Sequence, residues 1–233
     1  MSYGIPGIAM SNGSGASISP VPFEPPKELF RYGEQSLWSA QALAASLPIA
    51  SSEYRLFSAG IGQSGQGFAT MSYAETSLRE GGRIPAQQSF DVFGIACHIY
   101  MGNSTGGASG GAFATPTDTS GLIANLLNIQ NNGVLQWSFL QTNIDIAPVV
   151  MIGAGGGAYG SVSQNAAGSN LGHMNNGAGQ IWLYRAAAVA LPGQSTFNVI
   201  LRFGNYAPAI SSTNAVAVKV SLIGNYKTAM VVG

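Results

Sequence analysis

The stretch VVMIGAGGGAYG, residues 149–160, is where this chain comes nearest to a known chemical fingerprint. An apolar strand followed by G-x-G-x-x-[GA] can deliver the phosphates of a dinucleotide to the N-terminus of a helix. That chemistry needs the helix itself and, about twenty residues further on, an acid to hold the ribose hydroxyls. The residues that follow, SVSQNAAGSNLGHMNNGAGQ (161–180), show no apolar repeat at three and four residues and read as a long polar loop. The last acid in the chain is Asp145. The glycines are therefore read as a structural turn after a buried strand, and no cofactor or cofactor-binding residue is assigned.

Other chemistry is sparse. A nucleophilic site needs a base beside a Ser, Cys or Thr, and the chain has only His98 and His173 to supply one. His98 falls in the middle of a strand-like run, as a core or edge histidine would. His173 falls in NLGHMNNG, where a solvated loop side chain is expected. The carboxylates Glu53, Glu75, Glu80, Asp91, Asp118 and Asp145 could furnish the acid and base of glycoside hydrolysis, but their spacing singles out no pair. No H-x-x-x-H, C-x-x-C or D-x-D-x-D pattern offers a metal site. Cys97, the only cysteine, reads as a small buried core residue. No catalytic or metal-binding residue is assigned, and the chain reads as a protein without enzymatic activity. Trp38, Trp137 and Trp182, with nine tyrosines, could stack on sugar rings, so a carbohydrate- or receptor-binding β-sandwich of the spike type stands as the alternative. Trp137 and Trp182 sit in strand-like runs, which suits core or interface positions.

Charge is the unusual feature of the composition. Only 8% of the 233 residues are Asp, Glu, Lys or Arg, against about 25% in an ordinary soluble domain. A compact monomer of this size exposes roughly 9,900 Å². Nine bases and nine acids leave such a surface thinly protected against association, and 46% of the residues are apolar. Much of the outside is therefore expected to be covered by copies of the chain or by partners. Formal net charge is zero, which gives no global attraction to nucleic acid or anionic lipid. Residues 146–233 hold Arg185, Arg202, Lys219 and Lys227 and no acid, but the four are scattered. No stretch of eighteen apolar residues and no basic-then-apolar N-terminal signal is found.

The elements that must position these residues are mostly strands. Residues 1–33, with Pro20, Pro22, Pro25 and Pro26 and several glycines, are expected to form an extended arm, and 34–233 a single domain. SEYRLFSAGIG (52–62), SFDVFGIACHIYM (89–101), VLQWSFL (134–140), IDIAPVVMI (144–152), STFNVILRF (195–203) and VAVKVSLIG (216–224) read as strands. In the second, Phe93, Ile95, Cys97 and Ile99 share one face and Phe90, Val92, His98 and Tyr100 the other. Both are mostly apolar, as in a strand covered on both sides. Pro148 implies a bulge or an edge. QIWLYRAAAVAL (180–191) suits strand or helix. QSLWSAQALAASLP (35–48) and TDTSGLIANLLNIQ (117–130) have helical spacing, the second with Thr117, Asp118 and Thr119 as candidate caps. The expected fold is all-β with two short helices, a jelly-roll β-sandwich carrying an extended N-terminal arm.

Taken in order, GGRIPAQQSFDVFGIACHIY (81–100), the helical segment 117–130, IAPVVMIGAGGGAYGS (146–161), LPGQSTFNVILRF (191–203) and VAVKVSLIGN (216–225) form an arrangement. It resembles that of jelly-roll major capsid proteins of small icosahedral bacteriophages, including single-stranded DNA phages with an internal membrane. The resemblance covers roughly residues 81–225 and rests on arrangement, with no catalytic signature. It implies a major coat subunit of a virion, made in the host cytoplasm, that self-assembles in many copies into an icosahedral shell around the genome. Minor capsid or vertex proteins would be further partners, the inner face would meet genome or an internal membrane, and no small-molecule substrate is implied. The glycines at 153–157 would then be a turn near a contact. Most such proteins fuse two jelly rolls, whereas about nine strand candidates favour a single one.

Overall fold

The computed structural model describes residues 29–43, 53–103, 128–139, 142–152, 159–164, 170–175, 181–183, 188–203 and 214–230. Among them the chain is almost entirely strand. The elements are β1 (Leu29–Leu43), β2 (Glu53–Leu56), β3 (Gln88–Asn103), β4 (Val134–Phe139), β5 (Thr142–Pro148), β6 (Tyr159–Gln164), β7 (Asn170–Asn175), β8 (Trp182–Leu183), β9 (Val189–Leu191), β10 (Phe197–Arg202) and β11 (Asn214–Met230). One antiparallel sheet runs β1-β11-β3-β8, with β9 also paired to β3, and a second runs β2-β10-β4-β5. β6 and β7 pair only with each other.

Alternation along β10 and β11 builds the core. Val216, Val218, Val220 and Leu222 of the first sheet, and Phe197, Val199 and Leu201 of the second, are fully buried in one shared cluster. The polar residues between them, such as Lys219, Ser221 and Arg202, take the other face, as the two-residue strand period requires. Two antiparallel sheets facing one apolar core make an all-β sandwich.

β3 departs from the expected faces in an instructive way. Its pairing with β11 slips between Ile223 and Gly224, where Gly94 and Val92 are the successive partners, so Phe93 is an extra residue. Such a bulge exchanges inside and outside along a strand. Phe90 and Val92 before it, and Ile95, Cys97 and Ile99 after it, therefore all enter the same core. Phe93 itself is only half-buried.

The helix expected over 35–48 is a strand through Leu43, and 44–48 lie outside the described residues. β1 pairs with β11 over its whole length, from Leu29–Met230 to Leu43–Val216. Its alanines hide the two-residue strand period for a packing reason. Ala40 and Ala42 stand on the outer face, where Phe68, Met71 and Ala59 close over them with Ala217. A Cβ on Gly67 would come within 2.5 Å of the Ala42 carbonyl oxygen, so larger residues would not fit under this cover. Tertiary approach thus overrides alanine's helix propensity.

Residues 161–180, expected as a loop, contain β6 and β7, joined by backbone pairs from Tyr159–Asn175 to Gln164–Asn170. A ladder can form from backbone groups without an apolar face, which is why periodicity missed it. Within 180–191, Trp182–Leu183 and Val189–Leu191 are strand, as β8 and β9, while 180 and 184–187 lie outside the described residues. Of the second expected helix, 117–127 lie outside the described residues, and 128–132 form a helical turn. Of the expected arm, 1–28 likewise lie outside them, and 29–33 already pair in β1. Pro148 ends β5, the edge strand of its sheet, beside a slip in the β4–β5 register.

Candidate functional site

The residues singled out for chemistry are mostly tied to structural tasks. Cys97 is buried in the core, where burial pushes its thiol up to about 12. His98 faces the other way on β3, opposite Lys219 of β11. Burial, and next the nearby Lys219 charge, lower its pKa from the ordinary 6.5. His173 lies within β7, opposite Ser161, and so in a strand rather than the expected loop. Glycines 153–157 lie outside the described residues. The chain resumes at Tyr159 as strand β6, where a phosphate-binding loop would require a helix.

The acids are dispersed. Glu53 pairs with Arg202 at 2.9 Å and with Arg55 at 3.4 Å. Buried Glu75 accepts from the Ser72 amide at 2.8 Å and from the Ser72 hydroxyl. Asp91 meets Lys227, and Asp145 accepts from the Gln136 side-chain amide. Glu80 is exposed, and Asp118 lies outside the described residues. Among the described residues, no three of His, Cys, Asp and Glu come together as a metal-binding group, and no helix is long and apolar enough to cross a membrane.

The tryptophans divide. Trp137 is buried in the core, and Trp182 packs against it from β8. Trp38 is half-buried on the outer face of β1. Its Nε1 donates to the Tyr73 carbonyl at 3.0 Å, the Tyr73 ring meets it edge-on at 4.9 Å, and Lys219 Nζ sits 5.8 Å from the ring centroid. Lys219 also donates to the Ala74 carbonyl at 2.7 Å. The ring therefore works as an anchor for residues 72–77.

That segment, with Gln66, closes the free edge of β1 between Trp38 and Ala42. Ala40 N–H donates to Glu75 O, Ala42 N–H to Gln66 O, and Ser77 N–H to Trp38 O. Gln66 locks the closure from within: its side-chain amide donates to Ser39 Oγ and Ala40 O, both at 2.7 Å, and its oxygen accepts from Ala59 N–H at 3.1 Å. Over this stretch the capped edge offers no unpaired ladder to another strand.

The opposite side is different. β5 and β8 are the last strands of their sheets on the side away from β1 and β2. Ile144 in β5 is 58% exposed although its register partner Trp137 is buried in the core, so the inward face is open there. Val150 and Met151, in the 3-10 turn that follows β5, and Ile181 and Leu183 at β8 are also exposed. Five of the seven large exposed apolar residues described thus fall on these two edges. Sequence reading missed this patch because Ile144 lies in a run whose pattern suits burial.

A groove of about 910 Å³ lies where the inward face of β1, β11 and β3 runs past the core. Gln35, Gln88, Tyr226 and Thr228 line it on the sheet side, and Arg79 and Arg83 on the loop side. No family model, no curated protein and no solved structure matches this chain.

Proposed function

We propose that the chain is a jelly-roll coat subunit, a structural virion protein that assembles with copies of itself into an icosahedral shell enclosing a genome. The observation that carries the reading is the open side of the sandwich, where Ile144, Val150, Met151, Ile181 and Leu183 stay exposed along the edges β5 and β8. Together their exposed portions amount to between two and three whole side chains. Covering them would contribute on the order of 4–8 kcal/mol before the costs of association. The thin ionic coating, 8% of residues, lowers the desolvation cost of such contacts.

Strand order supports the jelly-roll form of the sandwich. With the β6–β7 hairpin set aside and β8 and β9 taken as one interrupted strand, the sheets run first-eighth-third-sixth and second-seventh-fourth-fifth, the order of two interlocked Greek keys. One such set accounts for the two main sheets, which favours a single jelly roll. Sedimentation and electron microscopy of the purified full chain test the proposal. Large symmetric oligomers or uniform particles are expected, and a monomer that persists at high concentration and neutral pH would overturn it.

A further inference from the structure

Four of the six Lys and Arg side chains described are committed. Arg55 and Arg202 share Glu53, Lys227 meets Asp91, and Lys219 is held by the Ala74 carbonyl and the Trp38 ring. Arg79 and Arg83 have no ion pair among the described residues, and both line the groove at the end of the core. In a chain with only nine Lys and Arg, two uncommitted guanidiniums on one concavity are a concentration of what little positive charge exists.

Their backbone is fixed. Leu78 O accepts from Ile61 N–H at 2.8 Å, and the Arg79 carbonyl lies so near Gly60 that a Cβ there would come within 2.4 Å of its oxygen. Around Arg83, Gly82 O accepts from Phe197 N–H at 3.0 Å and Ile84 O from Gln194 N–H at 2.9 Å. The turn at Gly82 uses a φ of +68°, which glycine adopts freely. Exposed side chains on a pinned backbone make a preorganised anion clamp. Across from them stands the half-buried Tyr226 ring, packed on Phe90 at 4.9 Å between centroids. The amides of Gln35 and Gln88 lie beside it.

We propose that this groove binds single-stranded nucleic acid, with Arg79 and Arg83 on successive phosphates, Tyr226 as a stacking platform and the glutamine amides against base edges. Guanidinium forks suit phosphate, and a tyrosine beside them suits a base. A lipid surface fits less well, since none of the large exposed apolar residues lines the groove to insert. An acidic peptide would leave the aromatic and amide surfaces unused, and Glu80 on the same lining would oppose it. The inference stands apart from the shell reading and survives its failure.

Fluorescence anisotropy of a labelled oligothymidylate of about ten nucleotides, titrated with the full chain, tests it. Two phosphate contacts give a slope of log affinity on log salt of about −1.4, or about sevenfold weaker binding between about 50 and about 200 mM salt. Arg79→Gln or Arg83→Gln should halve that slope, and the double variant should bring it near zero with an unchanged thermal midpoint, because both side chains are exposed. Tyr226→Leu should weaken binding with the slope retained. Absence of binding at low salt, an unchanged slope in the double variant, or equal competition by an oligoglutamate peptide or anionic vesicles would each overturn it.

Discussion

Ile144→Asp is the sharpest test of what the open side does. Ile144 is 58% exposed on an inward-facing position of β5, so a partner covering it would remove roughly 1–2 kcal/mol of apolar surface cost. Aspartate loses that gain and adds a carboxylate, beside Asp145, that must be desolvated without a counter-ion. An uncompensated charge at a closed contact costs several kcal/mol even after relaxation. Taking about 3 kcal/mol for that term, each contact loses about 4–5 kcal/mol, or roughly a thousandfold in association. The isolated subunit should be nearly indifferent, since the side chain is already in water. Light scattering against protein concentration should show the assembly threshold raised by about three orders of magnitude. Thermal melting of dissociated subunits should show a midpoint close to wild type. If the variant assembles at the wild-type concentration, the open side is not the contact surface.

Three further outcomes follow from the interior. Cys97, its thiol pushed up to about 12 by burial, should resist a thiol reagent at mildly alkaline pH in the folded protein and react at once in denaturant. For His98, burial and the Lys219 charge lower the folded pKa below the unfolded 6.5. As pH falls through 6.5 the unfolded chain binds the proton first, so stability is full above that value and declines below it, and His98→Gln should flatten this limb in denaturant melts. Gln66→Ala should cost about 2–4 kcal/mol, because it strands the buried Ala59 N–H and releases Ser39 and Ala40. Hydrogen exchange in residues 57–78 should accelerate with it, and unchanged protection there would refute the locking role.

The sequence carried the central strands plainly and the edges poorly. In β10 and β11 the core-facing residues alternate regularly and were legible residue by residue, although Ile200 and Ala217 are buried on the outer face as well. In β3 the existence of the strand was legible but its faces were not, since the slip at Phe93 depends on how β11 pairs beyond Ile223. β1 read as helix because Trp38, Ala40 and Ala42, covered by a loop, put apolar residues on the outer face and so hid the two-residue alternation. Only the loop's return from Ala59 to Met71 reveals that cover. At the candidate groove, Arg79 and Arg83 flank a Gly-Gly turn in LREGGRIP, but nothing local reveals that, among the described residues, the other cations are paired and these two have no ion pair.

The two sides of the sandwich differ in kind, and that difference supports directional association over indiscriminate stickiness. At β1, hydrogen bonds from Ala40, Ala42 and Ser77, with the Trp38 anchor above them, use up the edge between Trp38 and Ala42 that an approaching strand would need. At β5 and β8 no comparable closure is seen among the described residues, and apolar side chains stand where ions would normally protect an edge. A chain with one edge closed in part and the other left open adds neighbours more readily through the open one. Closed assemblies need such restriction, because an interface repeated at a fixed angle closes where its rotation completes a full turn, whereas two equally open edges would permit continuous sheet extension. By this reasoning, loosening the sealed side through Gln66→Ala should broaden the products of assembly toward irregular aggregates, while Ile144→Asp should leave soluble subunits. Sizing both variants under the same conditions tests the distinction, and identical products from the two would remove the basis for it.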